Sequence, residues 1–175
     1  MAALGAVREA WTPPAAKVVV DVGGAHGAFL DVVLELLPEA RGVLFDLPHV
    51  VDKAPARPRT ERIGGDFMTS VPAGGDLYLL KHIVHDWDDA TVVALFSRVR
   101  AAMAKDATVV IVEMLIPEDG KPSPAILLDL NMMVITPGRE RTADEVGHLL
   151  GAAGLAVTRV VSTQSPFGVI EARAR

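Results

Sequence analysis

Two parts of the sequence carry side chains suited to proton transfer. His85 and Asp86 lie between a predicted strand and a predicted helix, and histidine is the side chain best suited to accept a proton near neutral pH. Glu113 interrupts an apolar strand, where a carboxylate is costly to bury unless it has a partner. These residues predict a proton-transfer site, with an ion pair to an arginine as the alternative for Glu113. Glu140, just before a later helix, would by itself pass for a solvated loop acid.

A glycine-rich turn at residues 23–27 predicts a cofactor site. It follows an apolar strand at residues 18–22 and precedes an amphipathic segment at residues 28–37, so its backbone can approach a ligand at a helix N-terminus. Asp46 comes about 20 residues later, at the end of the next strand, where a ribose-binding carboxylate belongs. Together they predict an adenosine-bearing cofactor. The alternatives are a turn without a ligand and an Asp46 that only caps a helix.

The length of the turn separates two such cofactors, NAD and S-adenosylmethionine. The dinucleotide fingerprint needs the spacing Gly-x-Gly-x-x-Gly to admit a pyrophosphate, whereas the turn from Gly23 to Gly27 is shorter. The turn therefore favours S-adenosylmethionine. Asp66 and Phe67 follow the third predicted strand and could bind and cover an adenine, although Phe67 could equally belong to the core.

Alternating strands and helices must position these residues. Strands are predicted over residues 18–22, 42–45, 61–63, 76–80, 107–115, 155–162 and 167–172, and helices over 28–37, 48–53, 88–104, 126–135 and 142–153. This alternation predicts a mostly parallel seven-stranded sheet with helices on both faces and a C-terminal antiparallel hairpin. That is the class I methyltransferase variant of the doubly wound α/β fold. Ligands of such sheets bind at the carboxyl ends of the strands, where five polar residues lie: Asp21, Asp46, Asp66, Lys81 and Glu113.

Composition excludes several classes of protein. The 175 residues, half of them hydrophobic and with a net charge of −5, suit one globular domain and carry no concentrated basic patch for nucleic acid. The absence of cysteine excludes disulfides and thiol catalysis and fits a cytoplasmic protein. No apolar run is long enough to span a membrane. No spacing of His, Asp and Glu suggests a metal site, so no metal is predicted, and His82 is interpreted as structural.

Six stretches, in this order, resemble the plant and bacterial small-molecule O-methyltransferases, the caffeate and hydroxyindole O-methyltransferase-like family. They are residues 20–27, 45–50, 64–67, 81–87, 112–113 and 138–142. The Phe-Asp-Leu-Pro of the second stretch and the His-Asp-Trp of the fourth are quite specific to that family.

The resemblance implies an S-adenosylmethionine-dependent enzyme that methylates a hydroxyl of a small, hydroxylated aromatic substrate. It implies that His85 is the catalytic base and that Glu113 and Glu140 flank and orient it. The residues implied to bind the cofactor are Gly23, Asp46, Asp66, Phe67 and Lys81. Acceptor contacts are predicted from Asp86 and from Asn131 and Met132, which fall on the helix one strand away from the base.

The chain departs from the family in two places. The family turn usually reads Gly-x-Gly-x-Gly, and its middle glycine is Ala25 here. Family members also carry a helical N-terminal dimerisation domain, whereas residues 1–17 are predicted to be one leading helix and a linker, and residues 18–175 the catalytic domain. We therefore expect the domain of a longer, homodimeric protein. Alone, it should fold but turn over poorly, and it should expose apolar patches near residues 4–11 and 127–134.

Two other functions stay open at this point. One is an NAD-type oxidoreductase, against which the turn length argues. The other is a cofactor-binding module without turnover on its own. Titration with S-adenosylmethionine followed by a methyl-transfer assay on phenols would separate all three.

Overall fold

The predicted strands form a seven-stranded sheet in this computed structural model, which describes residues 2–175. The strands are β1 (Val18–Val22), β2 (Arg41–Asp46), β3 (Thr60–Gly64), β4 (Leu77–Lys81), β5 (Thr108–Met114), β6 (Leu155–Ser162) and β7 (Phe167–Ala174). Their order is β3-β2-β1-β4-β5-β7-β6. Strands β1 to β5 pair in parallel, and β7 runs antiparallel to β5 and β6. The predicted fold, with its C-terminal antiparallel hairpin, is confirmed.

The helices lie on both faces of the sheet. They are α1 (Ala2–Ala10), α2 (Ala28–Leu36), α3 (Pro48–Val51), α4 (Asp89–Ala102), α5 (Pro124–Ile135) and α6 (Ala143–Ala152). Helices α4, α5 and α6 begin at side-chain caps. The Asp88 side chain accepts a hydrogen bond from Thr91 N at the start of α4. The sequence spacing of Thr142 and Glu145 fits a capping box, and the two residues form one at the start of α6, which satisfies two backbone donors reciprocally.

Two apolar clusters cover the two faces of the sheet. Val20 and Ile111 belong to the cluster that packs against α4 and α6, whereas Val19 and Val110 belong to the cluster that packs against α1 and α2. Neighbouring strand residues separate in this way because successive side chains point to opposite faces. The near-continuous apolar runs are buried on both faces, as parallel strands require.

Helix α1 belongs to the second cluster. Val7 and Trp11 are buried, and the Trp11 Nε1–H donates to Glu171 Oε1 on β7 at 2.6 Å. The expectation of an exposed apolar patch near residues 4–11 is therefore wrong for both side chains. The reason is that the leading helix docks on the sheet rather than standing apart from it.

Helix α5 exposes apolar side chains, as predicted. It begins at Pro124, two residues before the predicted start, because the Ser123 side chain caps it and proline suits the first helical turn. Leu127, Leu130 and Val134 are 68%, 59% and 86% exposed. None of the helices within residues 2–175 is both long enough and apolar enough to cross a membrane.

Candidate active site

The glycine turn lies at the carboxyl end of β1 and is held to the end of β2. Gly23, at φ +68°, donates its N–H to Phe45 O at 2.8 Å. A Cβ at Gly24 would come within 2.5 Å of Asp21 Oδ2 and of Leu44 Cδ1, so only glycine fits there. The backbone of the turn is thereby brought against the sheet edge where ligands of this fold bind.

Asp46 joins the turn to the second strand. Its Oδ2 accepts a hydrogen bond from Ala25 N at 2.8 Å, and its Oδ1 accepts one from Leu47 N at 2.7 Å. Ala25 sits at φ +50°, a left-handed conformation that an L side chain adopts at a cost. Each carboxylate oxygen keeps a further lone pair, so Asp46 can still accept from a ligand.

A cavity of about 360 Å³ opens beside the turn and contains a buried acid. Asp21, Lys81 and His82 line it together with the turn itself. Asp21 is 1% exposed, and within residues 2–175 its Oδ2 has no hydrogen-bond partner. Burial raises the pKa of Asp21 to about 7, against the opposing charge of Lys81. An unsatisfied acidic oxygen next to a lysine suits a ligand that carries both a cationic and an anionic group.

Asp66 and Phe67 lie beyond the end of β3, next to the same turn. Asp66 Oδ1 accepts a hydrogen bond from Met68 N at 2.8 Å. The Phe67 ring packs edge-on against Trp87 with centroids 6.1 Å apart. Its Cε1 atom is 3.4 Å from where a Cβ on Gly23 would lie. An acid and an aromatic ring therefore flank the glycine turn from the side of β3, as the sequence predicts for an adenine site.

His85 lies on a 3₁₀ turn, Val84–Asp86, that follows β4. Its Nδ1 is 2.8 Å from Glu140 Oε1. Because Glu140 accepts at Nδ1, the Nε2 atom of the neutral ring carries the free lone pair. Burial lowers the pKa of His85, but the hydrogen bond to Glu140 and the nearby carboxylates outweigh it, so the pKa lies above its ordinary value.

Glu113 holds the backbone of that turn rather than the imidazole. Its Oε1 accepts hydrogen bonds from Ile83 N at 3.0 Å and from Val84 N at 2.8 Å. Both acids were expected to flank and orient the imidazole; Glu140 contacts the ring, whereas Glu113 contacts the backbone that carries it. Burial raises the pKa of Glu113 to about 7, and in the described part of the chain its Oε2 has no hydrogen-bond partner.

Two residues that the sequence analysis passed over, Gly138 and Arg141, fix the loop that carries Glu140. A Cβ at Gly138 would overlap the carbonyl oxygen of His85, so the loop packs directly on the turn Val84–Asp86. The buried Arg141 guanidinium donates to Val84 O at 2.9 Å and to Asp89 Oδ1 at 2.7 Å. The Gly-Arg-Glu-Arg run around Glu140 was the available signal for Arg141.

His82 was interpreted as structural, yet it touches the candidate base. Its Nδ1 lies 3.3 Å from His85 Nε2, and its ring packs on Phe167 with centroids 4.8 Å apart. Burial lowers the pKa of His82 to about 4, helped by His85 and Lys81. Since His82 also lines the cavity beside the glycine turn, one imidazole separates that cavity from the base.

The three residues predicted to contact an acceptor lie in different settings. Asp86 Oδ1 is 3.7 Å from His85 Nε2, and the side chain is 43% exposed. On α5, Asp129 Oδ1 accepts a hydrogen bond from Glu140 N at 2.8 Å, and Met132, one turn later, is buried. Asn131 is exposed. Asn131 and Met132 therefore face different directions. Met132 lies on the same face of α5 as Asp129, which contacts the loop that carries Glu140.

Comparison with known proteins places this site in context. Residues 9–156 match the O-methyltransferase domain family. The phenazine O-methyltransferase of Lysobacter antibioticus is 42% identical over 164 residues, which are 90% of this chain and 48% of that protein. The chain therefore spans about half the length of the curated relatives it matches.

Two solved structures show the same architecture with ligands. Human N-acetylserotonin methyltransferase in complex with S-adenosylmethionine superposes with a TM-score of 0.90 at 28% identity, over 98% of this chain and 51% of that one. An O-methyltransferase from neocarzinostatin biosynthesis superposes with a TM-score of 0.80 at 30% identity, over 91% of this chain and 49% of that one. The second structure contains S-adenosyl-L-homocysteine and 1,4-dihydroxy-2-naphthoic acid.

Proposed function

This chain belongs to the O-methyltransferase domain family, and from that premise we propose that it methylates a hydroxyl of a small aromatic molecule with His85 as the general base. Its cofactor is S-adenosylmethionine, which supplies a methyl group on a positively charged sulfur. The observation that carries the proposal is the 2.8 Å contact between His85 and Glu140 beside the cofactor cavity.

The residues around the glycine turn fit this cofactor. Asp46 is already oriented by two backbone donors and would accept from the ribose hydroxyls. Asp66 and Phe67 would bind and cover the adenine. The cofactor ends in an ammonium and a carboxylate, and the cavity offers the unsatisfied Asp21 carboxyl and Lys81 to these two groups. Each half of the cofactor thus has a complementary partner in the described residues.

Glu140 and Glu113 would both support His85 as the general base. A phenol titrates near ~10 and a histidine near ~6.5, so free proton transfer to His85 is uphill by roughly 5 kcal/mol. The Glu140 carboxylate reduces this gap, because it stabilises the imidazolium and keeps Nε2 as the accepting atom. Glu113 holds the turn through Ile83 N and Val84 N, so that Nε2 stays aimed at the reacting hydroxyl. Proton removal then accompanies formation of the new bond, and close placement of the reactants supplies much of the remaining effect.

The acceptor is proposed to be a flat, hydroxylated aromatic compound. The names of the relatives support this class, since one acts on a phenazine and one holds a dihydroxynaphthoic acid. Asp86, 3.7 Å from Nε2, would contact the hydroxyl, and Met132 would form part of an apolar wall. Because the relatives are about twice as long, we further propose that other parts of a longer protein, in a homodimer, complete this pocket over the exposed face of α5.

The test is a binding measurement followed by a turnover measurement. Calorimetry should detect S-adenosylhomocysteine binding to the 175-residue chain. Asp46→Ala should weaken it by roughly 1.5–3 kcal/mol because two ribose contacts are lost, whereas Glu39→Gln, at an exposed site, should leave it unchanged. Methyl transfer from S-adenosylmethionine to a panel of phenols is then assayed with the protein that carries this domain. Binding of NAD in place of S-adenosylhomocysteine, or transfer to none of the phenols, would contradict the proposal.

A further inference from the structure

We infer that His82, His85 and Glu113 form a binding site for a divalent transition metal such as Zn²⁺, and that metal bound there blocks the base. One nitrogen of each imidazole and one Glu113 carboxylate oxygen lie within 4.8 Å of one another. The spacing of residue types along the sequence does not predict this site, because Glu113 joins the histidines only through the pairing of β4 with β5.

The two imidazoles already stand at a ligand-to-ligand distance. Their closest nitrogens, His82 Nδ1 and His85 Nε2, are 3.3 Å apart. Two nitrogens each ~2.0–2.1 Å from a tetrahedral Zn²⁺ are separated by roughly the same distance. A metal ion could therefore bind both nitrogens with little movement of either ring. The Glu113 oxygen lies within 4.8 Å of a nitrogen of each ring, so a small side-chain shift would bring it to the metal.

His85 and Glu113 also make the hydrogen bonds that are usual for metal ligands. A histidine that binds a metal usually donates its other ring N–H to a carboxylate, and His85 Nδ1 meets Glu140 Oε1 in this way at 2.8 Å. Ligating carboxylates are usually held by hydrogen bonds, as Glu113 Oε1 is by Ile83 N and Val84 N. Glu113 Oε2 is buried without a partner in residues 2–175. It is the free atom that would complete the set.

The types of ligand in this site determine which metal ions it would bind. Two imidazoles and one carboxylate suit Zn²⁺ or Cu²⁺, whereas Mg²⁺ prefers oxygen ligands and retains its waters. Three protein ligands leave a fourth position for water. His82 lines the open cavity beside the glycine turn, which provides the route by which the ion enters.

The inhibitory consequence rests on the proposed function. The His85 Nε2 lone pair that would bind the metal is the one that would accept the proton of the acceptor hydroxyl. Zn²⁺ should therefore compete with the acceptor, and a chelator should restore turnover. Mg²⁺ at the same concentration should have no effect.

Metal binding is tested without any turnover, by calorimetry of Zn²⁺ on the untagged chain. One equivalent should bind, and His82→Asn should weaken it by about tenfold or more. Asparagine suits this position because it tolerates the φ of +56° found at His82. The matched control, His148→Asn at an exposed histidine, should bind as the unchanged chain does. Equal Zn²⁺ affinity in the two variants, or failure of the unchanged chain to bind, would overturn the site while leaving the proposed function intact.

A second measurement guards against a misfolded variant. Co²⁺ added to the unchanged chain should give the intense visible bands of four-coordinate geometry, and Zn²⁺ should displace them. Weak bands typical of octahedral cobalt would count against the site. In the methyl-transfer assay, Zn²⁺ inhibition that acceptor does not relieve would overturn the blocking role, even where calorimetry supports binding.

Discussion

The Nδ1 atom of His85 lies 2.8 Å from Oε1 of Glu140, which is 55 residues later in the chain. This contact fixes which ring nitrogen is free, because the carboxylate accepts at Nδ1 and leaves Nε2 to take a proton. Glu140 is fully buried at its side chain, so its charge is only weakly screened by solvent. The pair therefore explains both the orientation and the raised pKa of the base.

Removing either member of the pair should lower turnover while leaving cofactor binding intact. In the protein that carries this domain, His85→Ala should lower kcat by ~10²–10⁴. Glu140→Gln should lower kcat by about 10²-fold, because an amide neither stabilises the imidazolium nor selects the tautomer. Calorimetry with S-adenosylhomocysteine should give affinities within about twofold of the unchanged protein. Glu118→Gln, at an exposed loop acid, is the control, and near-normal turnover of His85→Ala would mean that the base is another residue.

Ala25→Gly should stabilise the glycine turn. Ala25 sits at φ +50°, where an L side chain costs ~1–2 kcal/mol, and the gain is partly offset by the greater freedom of glycine in the unfolded chain. We expect the free energy of unfolding to rise by up to about 1 kcal/mol in urea titrations. The same substitution at Ala101, an exposed position in α4, should instead lower it by roughly 0.5–1 kcal/mol. Equal destabilisation at both positions would show that the turn carries no strain.

The stability of the ligand-free domain should fall as the pH rises towards 7. Burial raises the pKa of Asp21 to about 7, while Lys81 opposes this and the acids Asp46 and Asp31 add to it. The folded state therefore holds the proton more tightly than the unfolded chain. This contribution is fully present below pH ~4 and is lost as the pH rises through about 7. Urea unfolding should accordingly give a lower free energy at pH 8 than at pH 5.

Asp21→Asn isolates this effect, because an amide occupies the same space without titrating. The variant should be more stable than the unchanged chain at pH 8 and should lose less stability between pH 5 and pH 8. Some dependence should remain, because burial also raises the pKa of Glu113 to about 7, whereas the lowered pKa of His82 contributes with the opposite sign. Glu39→Gln should reproduce the original pH profile. An identical profile for Asp21→Asn would refute the assignment.

Gly138→Ala should displace the loop that carries Glu140. The added methyl group would overlap the His85 carbonyl and the backbone of Asp86, and such overpacking costs roughly 1–3 kcal/mol. Turnover should fall while affinity for S-adenosylhomocysteine stays close to normal, because the cofactor cavity lies on the other side of the base. Gly5→Ala is the matched control, since its Cβ meets nothing within 4 Å. A fully active Gly138→Ala variant would show that the loop can move without loss.

The exposed face of α5 should make the 175-residue chain self-associate. Leu130 and Val134 are 59% and 86% exposed, and clustered apolar area of this kind promotes association. Replacing both with glutamine should shift sedimentation profiles towards monomer at the same concentration. Val160→Thr on β6, also an exposed apolar site, should leave the profile unchanged. A clean monomer for the unchanged chain would remove the basis of this prediction.

Local patterns sufficed to predict the scaffold and to place the glycine turn and Asp46 at one edge of the sheet. Apolar runs predicted the strands, and the capping box at Thr142 predicted the start of α6, since both signals depend on neighbouring residues. The glycine turn and Asp46 could be paired in advance because the ends of adjacent parallel strands meet at one edge. His85 stood out because it lies between a predicted strand and a predicted helix, at the same edge of the sheet.

The contacts around the base could not be predicted because they join residues from different elements. The sequence does not show which of Glu113 and Glu140 contacts the imidazole. Because the 136–141 loop packs on the turn that carries His85, Glu140 contacts the ring, and Glu113 accepts hydrogen bonds from backbone amides. The three-residue spacing of His82 from His85 does not reveal that the left-handed backbone at His82 turns the two rings together. Side-chain direction in an irregular segment depends on what packs against it, and that information lies in residues far along the chain.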